Sequence, residues 1–411
     1  MDAFYVSVEL LRHPELRGRP VVVGGGASRG VVAAASYEAR RYGVHSAMAS
    51  SRARALCPDA VFIPPDMSHY LEVSARLHDI FCSFTPLVEQ ISVDEAFMDV
   101  TGAGKLLGEP GKIAWALRDA VLEQERLTCS VGIAPNKFIA KLASEQAKPR
   151  ASQEGINPGH RVFGVAPGDE IAFLHTLPVS SLWGVGPATQ EKLAGLGVRT
   201  IEQLAGLEVS LLKRMVGDAH GAHLHRLAHG VDEREVEPER IAKSIGHEET
   251  FSRDLVTFDE MREQLVKLCD AVARRTRGAG VAAGTMLLKV KFSSFESATR
   301  SVTPTIPITS GPAMVAALEP LLADIEPSQG VRLLGVHAQK LSIGGQAVPR
   351  LFDDDSDAVE SLEREWSGAS RAVDSIIDKF GSDSIGPASV LRQKTRPGGA
   401  PYGPVEDTTP E

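Results

Sequence analysis

Two adjacent carboxylates lie in a stretch of the sequence that is otherwise apolar. Asp94 and Glu95 follow Val93 and precede the apolar residues 96–98. The pattern of residues 87–100 predicts a strand, a tight turn that carries the acids, and a second strand. Carboxylates drawn toward a core are costly unless they are paired or bind a cation. An isolated Asp-Glu pair is more often a solvated hairpin tip, but the apolar flanks favour a site here.

An acidic turn of this kind suits hard divalent cations. Mg²⁺ takes few carboxylates and fills the rest of its coordination shell with water and phosphate oxygens. Two such ions about 4 Å apart can activate a 3′-hydroxyl and stabilise a leaving pyrophosphate. The turn is therefore a candidate site for divalent cations.

The elements that must position this turn form a mixed α/β pattern. Helical spacing of apolar residues predicts helices over 68–81, 113–123, 136–145 and 258–276. Short apolar or alternating runs predict strands at 21–23, 31–35, 128–133, 285–292 and 331–341. Two short helices, at 188–195 and 201–205, are expected to flank a turn at 195–197.

The overall charge gives little information about partners, because it is unevenly distributed. The 411 residues suit two to four domains, and their net charge of −9 argues weakly against a nucleic-acid-binding protein. Residues 347–411 hold 13 acidic and 7 basic side chains, a net of −6, whereas residues 274–300 hold six basic side chains and one acid. Local patches therefore decide this question.

Other features exclude several classes of protein. No apolar run approaches the roughly 20 residues of a membrane span, and the early charges exclude a signal peptide. The four cysteines form no C-x-x-C pair, which argues against a disulfide framework or a cysteine zinc site. We expect a cytoplasmic protein that does not bind membranes.

Five segments, in order along the chain, resemble the motifs of Y-family DNA polymerases. Residues 92–99, SVDEAFMD, resemble the motif S-x-D-E-A-[FY]-x-D of that family. The other segments that resemble family motifs are 2–9, 35–44, 130–149 and 182–186. The resemblance covers residues 1 to about 346, and it is greatest to the DinB, or DNA polymerase IV, branch.

The resemblance implies an α/β multidomain protein built as a right hand. It would have an α/β palm, small fingers, a helical thumb with a helix-hairpin-helix, and an α/β little finger. The implied domains are the palm at 1–10 and 67–157, the fingers at 11–66, the thumb at 158–236, a linker at 237–242, the little finger at 243–346 and a mostly disordered tail at 347–411.

The resemblance also implies roles for single residues of the active site. Asp94 and Glu95 would be catalytic and, with the main-chain carbonyl of Met1, would bind the two Mg²⁺ ions. Tyr5 would be the steric gate, whose ring lies where a ribose 2′-hydroxyl would go; its alternative is a simple core aromatic. The triphosphate-binding residues would be Tyr37, Arg40 and Lys148. For Arg40 and Lys148 the alternative is a solvated surface charge.

Two further groups would contact DNA. Glycines in the thumb hairpin let backbone N–H groups approach a phosphate, although many turns contain a G-x-G. Alternating lysines on a little-finger strand can track a phosphate backbone, although an ordinary half-exposed strand has the same pattern. The implied DNA-binding residues are Gly184, Val185 and Gly186 in the thumb, and Lys289, Lys291 and Arg300 in the little finger.

The tail offers a candidate contact with the sliding clamp. Leu351 and Phe352 resemble the end of a clamp-binding peptide, with Gln346 upstream at a loose spacing. An exposed apolar pair surrounded by acids has little other use. The alternative is a small anchor that folds back onto the little finger.

The first motif departs from the family pattern at its beginning. The family has two aspartates with one residue between them, and the first of these binds metal. Here Met1 takes the middle position and Asp2 matches the second aspartate. We therefore expect that the sequence starts at an internal methionine, that the native protein begins upstream with the missing aspartate, and that the 411-residue chain is inactive or nearly so.

The implied function is a template-directed, low-fidelity DNA polymerase of the translesion type. It would act as a monomer on primer–template DNA and deoxynucleoside triphosphates. One alternative is a non-catalytic Y-family paralogue that serves as a scaffold in mutagenic repair, but retention of the acids argues against it. A plain DNA-binding protein that uses only the thumb hairpin would leave the acidic turn unexplained.

Overall fold

A computed structural model gives the fold of the chain and describes residues 1–25, 29–239, 242–343, 358–381 and 384–388. The chain divides into two units, Met1–Arg240 and Ile241–Glu411, and their boundary lies within residues 237–242. Both units contain helices and strands, which confirms the α/β class expected from the sequence.

The amino-terminal part of the first unit is an α/β region that contains the acidic turn. Its helices are α1 (Phe4–Arg12), α2 (Tyr37–Arg40), α3 (Ser50–Leu56), α4 (Met67–Cys82), α5 (Gly104–Leu107), α6 (Pro110–Glu125) and α7 (Lys137–Ala147). Its strands are β1 (Val21–Gly24), β2 (Val32–Ala35), β3 (Val61–Ile63), β4 (Val88–Gln90), β5 (Ala96–Met98), β6 (Val131–Ile133), β7 (Arg150–Ser152), β8 (Gly155–Asn157) and β9 (Val162–Gly164).

Strand β1 separates two hydrophobic cores. It lies between β2, to which it is antiparallel, and β3, to which it is parallel. Val21 and Val23 pack with Tyr70 of α4 in one core, whereas Val22 packs with α2 and α3 in the other. Successive side chains of a strand point to opposite faces, so one short apolar run supplies both cores. The remaining pairs in this region are β4 with β5 and β7 with β8, both antiparallel, and β6 with β9, which are parallel.

Five helices complete the first unit: α8 (Glu170–His175), α9 (Pro187–Ala194), α10 (Ile201–Ala205), α11 (Val209–Val216) and α12 (Asp218–Ala228). The two short helices expected at 188–195 and 201–205 are therefore confirmed. A capping box starts α10, in which Thr200 and Gln203 each satisfy the other's backbone N–H. These helices share a core with Phe138 and Ile139 of α7, so the helical region rests directly on the α/β region.

The second unit is a four-stranded antiparallel sheet with two helices on one face. Its elements are β10 (Ser244–Leu255), α13 (Phe258–Gly278), β11 (Val281–Phe292), β12 (Ser297–Val302), α14 (Gly311–Ala323), β13 (Val331–Ile343) and α15 (Ala358–Phe380). The strand order is β10-β13-β11-β12. Met286, Leu288 and Val290 of β11 are buried with α13 and α14, which confirms the alternation expected for this strand.

Helix α15 corrects the expectation of a mostly disordered tail, which is wrong for residues 358–380. A pair of hydrogen bonds and an ion pair tie this helix to its own unit. Glu363 accepts hydrogen bonds from the backbone N–H groups of Thr309 and Ser310, both at 2.9 Å, just before α14 begins. The two carboxylate oxygens of Asp374 accept hydrogen bonds from the Arg277 guanidinium at 2.6 and 2.7 Å. Composition alone missed the helix because its acids have partners that are distant in sequence. Leu351 and Phe352 lie outside the described residues.

Candidate active site

The acidic turn joins β4 and β5, as the sequence predicted. The two strands pair in antiparallel register from Val88–Met98 to Gln90–Ala96, and the acids follow at the tip. The carbonyl of Glu95 accepts hydrogen bonds from the N–H groups of residues 91 and 92 at 3.0 and 3.3 Å, which closes the turn. The side chains of Asp94 and Glu95 are 27% and 33% exposed. Both carboxylates are therefore partly buried and still open to a ligand.

Two lysines from one helix region converge on Glu95. Lys141 Nζ donates a hydrogen bond to Glu95 Oε2 at 2.9 Å, and Lys148 Nζ lies 3.6 Å from Oε1. Burial alone would raise the pKa of Glu95, but the Lys141 hydrogen bond and the nearby positive charges hold that pKa below its usual value. Sequence reasoning assigned no role to Lys141. Lys141 lies four residues after Lys137 on one expected helix, so the two lysines share a face, and this spacing was the available signal.

The terminal ammonium lies beside the other carboxylate. Met1 N donates to the carbonyl of Asp94 at 2.8 Å and lies 3.8 Å from Oδ2 of the same residue. Asp2 faces elsewhere, since its Oδ1 accepts a hydrogen bond from Ser130 Oγ at 2.7 Å. The two lysines therefore place fixed positive charge on the Glu95 side of the turn.

The donors of the turn fit Mg²⁺ in kind. Asp94, Glu95 and the Met1 carbonyl offer hard oxygen atoms, which Mg²⁺ prefers, and this ion completes its shell with water and phosphate oxygens. The fit is incomplete in number, because no group of three or more acidic, histidine or cysteine side chains that could hold a metal occurs among the described residues. The turn therefore presents two carboxylate side chains, one fewer than the smallest such group.

Tyr5 of α1 is only partly buried and carries one packed face. Its ring stacks on that of Tyr70, which is fully buried and donates a hydrogen bond to Glu9 Oε1 at 2.7 Å. Burial and the charge of Asp94 raise the pKa of Tyr5. The structure thus brings Tyr5 within electrostatic reach of the acidic turn, on a support that is itself fixed.

Two of the three residues expected to bind a triphosphate form one cluster on α2. The guanidinium of Arg40 lies 4.7 Å from the ring centroid of Tyr37, and its Nε donates to the carbonyl of Ala35 at 3.0 Å. Ser36 caps this helix by accepting from Ala39 N. Burial first, and then the charge of Asp2, raises the pKa of Tyr37 to about 12, so the phenol keeps its proton.

Lys148, the third of these residues, lies at the end of α7. Its ammonium donates to Glu145 at 2.6 Å besides facing Glu95. Burial would lower the pKa of Lys148, but the two glutamates raise it. Its charge is therefore retained, and it is not the freely solvated charge of the alternative interpretation.

The thumb hairpin places its three residues in different environments. Gly184 has a φ of +97°, which favours glycine, and Gly186 precedes α9 with open space at the position of a Cβ. Val185 is buried, and its N–H donates to the carbonyl of Leu182 at 3.0 Å. The glycines can approach a ligand closely, whereas Val185 anchors the hairpin in the core.

Trp183, at the start of this hairpin, links it to the acidic turn. Its ring centroid is 6.3 Å from that of Phe97 in β5 and 6.0 Å from Lys141 Nζ. The guanidinium of Arg234 lies 5.0 Å from the same ring. Lys141 therefore contacts both Glu95 and Trp183 at the start of the hairpin, a connection that no local pattern predicts.

In the second unit the expected DNA-binding residues divide between the two faces of the sheet. Lys289 and Lys291 lie on the face opposite to α13 and α14. Arg300 of β12 pairs with Leu288, whose side chain is buried against those helices. Directly paired residues of a sheet point to the same face, so Arg300 lies on the other side from the two lysines. The sequence grouped these three residues, and the strand register separates them.

The fold and the acidic turn define a polymerase of the right-hand class, in which an α/β region with a carboxylate hairpin is followed by a helical region and a second α/β unit. Residues 1–145 match the impB/mucB/samB family, residues 242–350 match its C-terminal domain, and residues 180–232 match the thumb domain of DNA polymerase-iota. The chain belongs to this family, the Y-family DNA polymerases.

Similar proteins agree with this placement. The chain is 43% identical to a DNA polymerase IV of Desulfatibacillum aliphaticivorans over 394 residues, which cover 95% of each protein. It is 45% identical to a DNA polymerase IV of Alkalilimnicola ehrlichii over 338 residues, 82% of this chain and 92% of the relative.

Solved structures share the fold. A Y-family DNA polymerase chimera superposes with a TM-score of 0.72 at 24% identity, over 84% of this chain and 98% of that one. DinB from Sulfolobus solfataricus superposes with a TM-score of 0.56 at 24% identity over the same shares. Among the helices described, none is long and apolar enough to cross a membrane.

Proposed function

We propose that this chain is a template-directed DNA polymerase of the translesion type, which adds deoxynucleotides to the 3′ end of a primer. The observation that carries the proposal is the carboxylate hairpin in a chain of this family. The side chains of Asp94 and Glu95 are partly exposed there and lie among cationic groups. A scaffold without catalysis has no need of partly buried acids at an open turn, since their desolvation costs free energy.

The hairpin would hold the metal through Asp94, Glu95 and the carbonyl of Met1. When bound, two Mg²⁺ ions supply activation of the primer 3′-hydroxyl and stabilisation of the leaving pyrophosphate. Lys141 keeps the Glu95 carboxylate ionised and fixed in direction. The hairpin offers only two carboxylates among the described residues, so an aspartate added before Met1 is a direct test of whether a third improves the site.

The nucleotide would be bound by groups on two elements. Arg40 presents forked donors that suit phosphate oxygens, and the neutral Tyr37 phenol donates one hydrogen bond. Lys148 adds a positive charge on the palm side. Tyr5, supported by Tyr70, would exclude a ribose 2′-hydroxyl by occupying its space. Low fidelity agrees with the Y-family fold and is part of the proposal.

Primer extension tests the proposal in a purified protein to which an aspartate has been added directly before Met1, and this protein is the parent in every activity assay. Asp94→Ala and Glu95→Ala should abolish Mg²⁺-dependent nucleotide addition while binding of primer–template DNA survives, because these groups hold metal and not the duplex. Asp119→Ala, which removes an exposed carboxylate on α6, is the matched control and should extend at the parent rate. Extension by either hairpin variant near that rate would refute the assignment. An inactive parent, even with the third carboxylate supplied, would instead favour a scaffold role.

A further inference from the structure

One face of the sheet in the second unit carries Lys289 and Lys291 and lies opposite to α13 and α14; we call it the lysine face. The register across three neighbouring strands aligns Glu248 of the edge strand β10, Gly335 of β13 and Lys289 of β11 in one row. The outer two residues of this row are two strands apart, about 10 Å between their backbones. Direct contact between them requires a clear path over the middle strand.

Gly335 provides that path. A Cβ added at this position would lie only 2.7 Å from Cγ of Glu248, so any other residue would displace the glutamate. With glycine there, the glutamate side chain crosses β13, and each of its carboxylate oxygens accepts from Lys289 Nζ at 2.8 Å. The ion pair therefore lies flat across a strip of sheet that has no side chain of its own.

A histidine holds the carboxylate from the next row. His337 of β13 pairs with Gly246 of β10, and a Cβ at Gly246 would lie 2.2 Å from Nδ1 of its ring. The ring leans over this second glycine, and its Nε2 lies 2.9 Å from Glu248 Oε1. Two glycines on neighbouring strands thus make room for one three-membered cluster, which is a built arrangement and not a chance surface contact.

The other lysine of this face has a different environment. Lys291 lies over the ring of Phe295 at 5.3 Å, and within the described part of the chain it forms no ion pair. Two lysines at alternate positions of one strand therefore differ in availability: one has a free charge and the other is held by a carboxylate.

We propose that Glu248 limits the affinity of the lysine face for DNA by competing with backbone phosphate for Lys289. The inference rests on the proposed function, and it adds that Lys289 and Lys291, which the family resemblance implies as DNA-binding residues, contact the primer–template duplex. An unpaired lysine that neutralises a phosphate releases counterions and contributes about 0.9 to the salt slope of binding. A lysine that must first leave a carboxylate contributes less affinity and a smaller slope. Weak, exchangeable binding suits an enzyme that acts briefly at a lesion.

The test is the binding of a labelled primer–template duplex, followed by fluorescence anisotropy from about 50 to about 200 mM salt. The variants are Glu248→Gln, Lys289→Ala and Lys291→Ala, together with Glu248→Gln combined with each of the two lysine substitutions. Glu249→Gln is the matched control, because it removes the same charge from the adjacent, exposed residue on the opposite face of β10. Thermal unfolding of each variant verifies that the second unit is intact, and Glu248→Ala serves as a second variant.

Glu248→Gln should tighten binding about three- to tenfold and steepen the salt slope by roughly 0.9, whereas Glu249→Gln should leave the slope unchanged. The gain should disappear when Lys289 is also alanine. In the parent, Lys291→Ala should cost more affinity than Lys289→Ala, and this difference should vanish in the Glu248→Gln background. A gain that persists without Lys289, or that Glu249→Gln reproduces, overturns the inference. Failure of the parent itself to bind primer–template would refute the proposed function instead.

Discussion

The ring of Tyr5 stacks on the ring of Tyr70, with centroids 4.5 Å apart and an interplanar angle of 25°. Tyr70 is fully buried, and its hydroxyl donates a hydrogen bond to the buried carboxylate of Glu9. The position of the Tyr5 ring is therefore fixed by a residue 65 positions later in the chain, and a fixed ring can exclude an atom by its size.

Replacement of Tyr5 should change sugar discrimination. Tyr5→Ala opens the space that we assign to a ribose 2′-hydroxyl, so the preference for deoxynucleotides should fall about 10- to 100-fold. Tyr5→Phe keeps the ring and should retain the preference. Single-nucleotide insertion with paired deoxy- and ribonucleotides measures both variants. If sugar discrimination is unchanged in the alanine variant, Tyr5 is not the gate.

The Glu95 pair with Lys141 gives a pH dependence. Lys141 lowers the pKa of Glu95, so the carboxylate stays ionised above its usual pKa and for some distance below it. Lys141→Met should raise that pKa and move the acid limb of the pH–activity profile to higher pH. Lys112→Met, on the exposed side of α6, is the control and should leave the profile unchanged. An acid limb at the same pH in both variants would show that Glu95 does not set it.

A buried ion pair should dominate the stability of the acidic hairpin. Lys137 Nζ lies 2.6 Å from Glu89 Oε2, and both side chains are buried. Lys137→Met should lower the free energy of unfolding by about 3–5 kcal/mol, because it removes the lysine charge that directly contacts the buried Glu89 carboxylate. The double variant Lys137→Met, Glu89→Gln should lose less of the free energy of unfolding than Lys137→Met alone. Urea unfolding measures both, and an equal or larger loss in the double variant would contradict the explanation.

A third carboxylate before Met1 should control activity. The described residues offer only two carboxylates at the hairpin, and two divalent ions would be held weakly by so few. The 411-residue chain should therefore extend primers poorly, and a chain with aspartate placed directly before Met1 should extend them with Mg²⁺. The same extension with asparagine is the control and should remain poor. Full activity of the 411-residue chain would refute the three-carboxylate proposal.

The clamp contact of the tail can be tested separately. Leu351→Ala combined with Phe352→Ala should abolish capture of the protein by immobilised sliding clamp, because the pair supplies the apolar anchor of the proposed peptide. Extension of a primer without clamp should stay at the parent level. If the double variant is captured by the clamp as well as the parent is, Leu351 and Phe352 do not form a clamp-binding peptide.

Local patterns of the sequence were enough to predict the acidic hairpin and much of the fold. The apolar flanks of Asp94 and Glu95 predicted a carboxylate hairpin, and β4 and β5 form it. The alternation of β11 and the helical spacing in α4, α6, α7 and α13 were confirmed because each depends on neighbours within one or two turns. The strand expected at 128–133 is shorter, Val131–Ile133, since strand ends depend on partners.

Tertiary structure alone decided which side chains meet. Lys141 reaches Glu95 from 46 residues away, and Glu248 reaches Lys289 only because β13 presents a glycine between them. Arg300 lies opposite to the lysines because the register of β12 pairs it with Leu288, and a slip of one residue would reverse its face. Helix α15 is tied down by Glu363 and Asp374, whose partners are far away in sequence. Such contacts depend on register and packing between distant elements, and sequence periodicity carries no information about either.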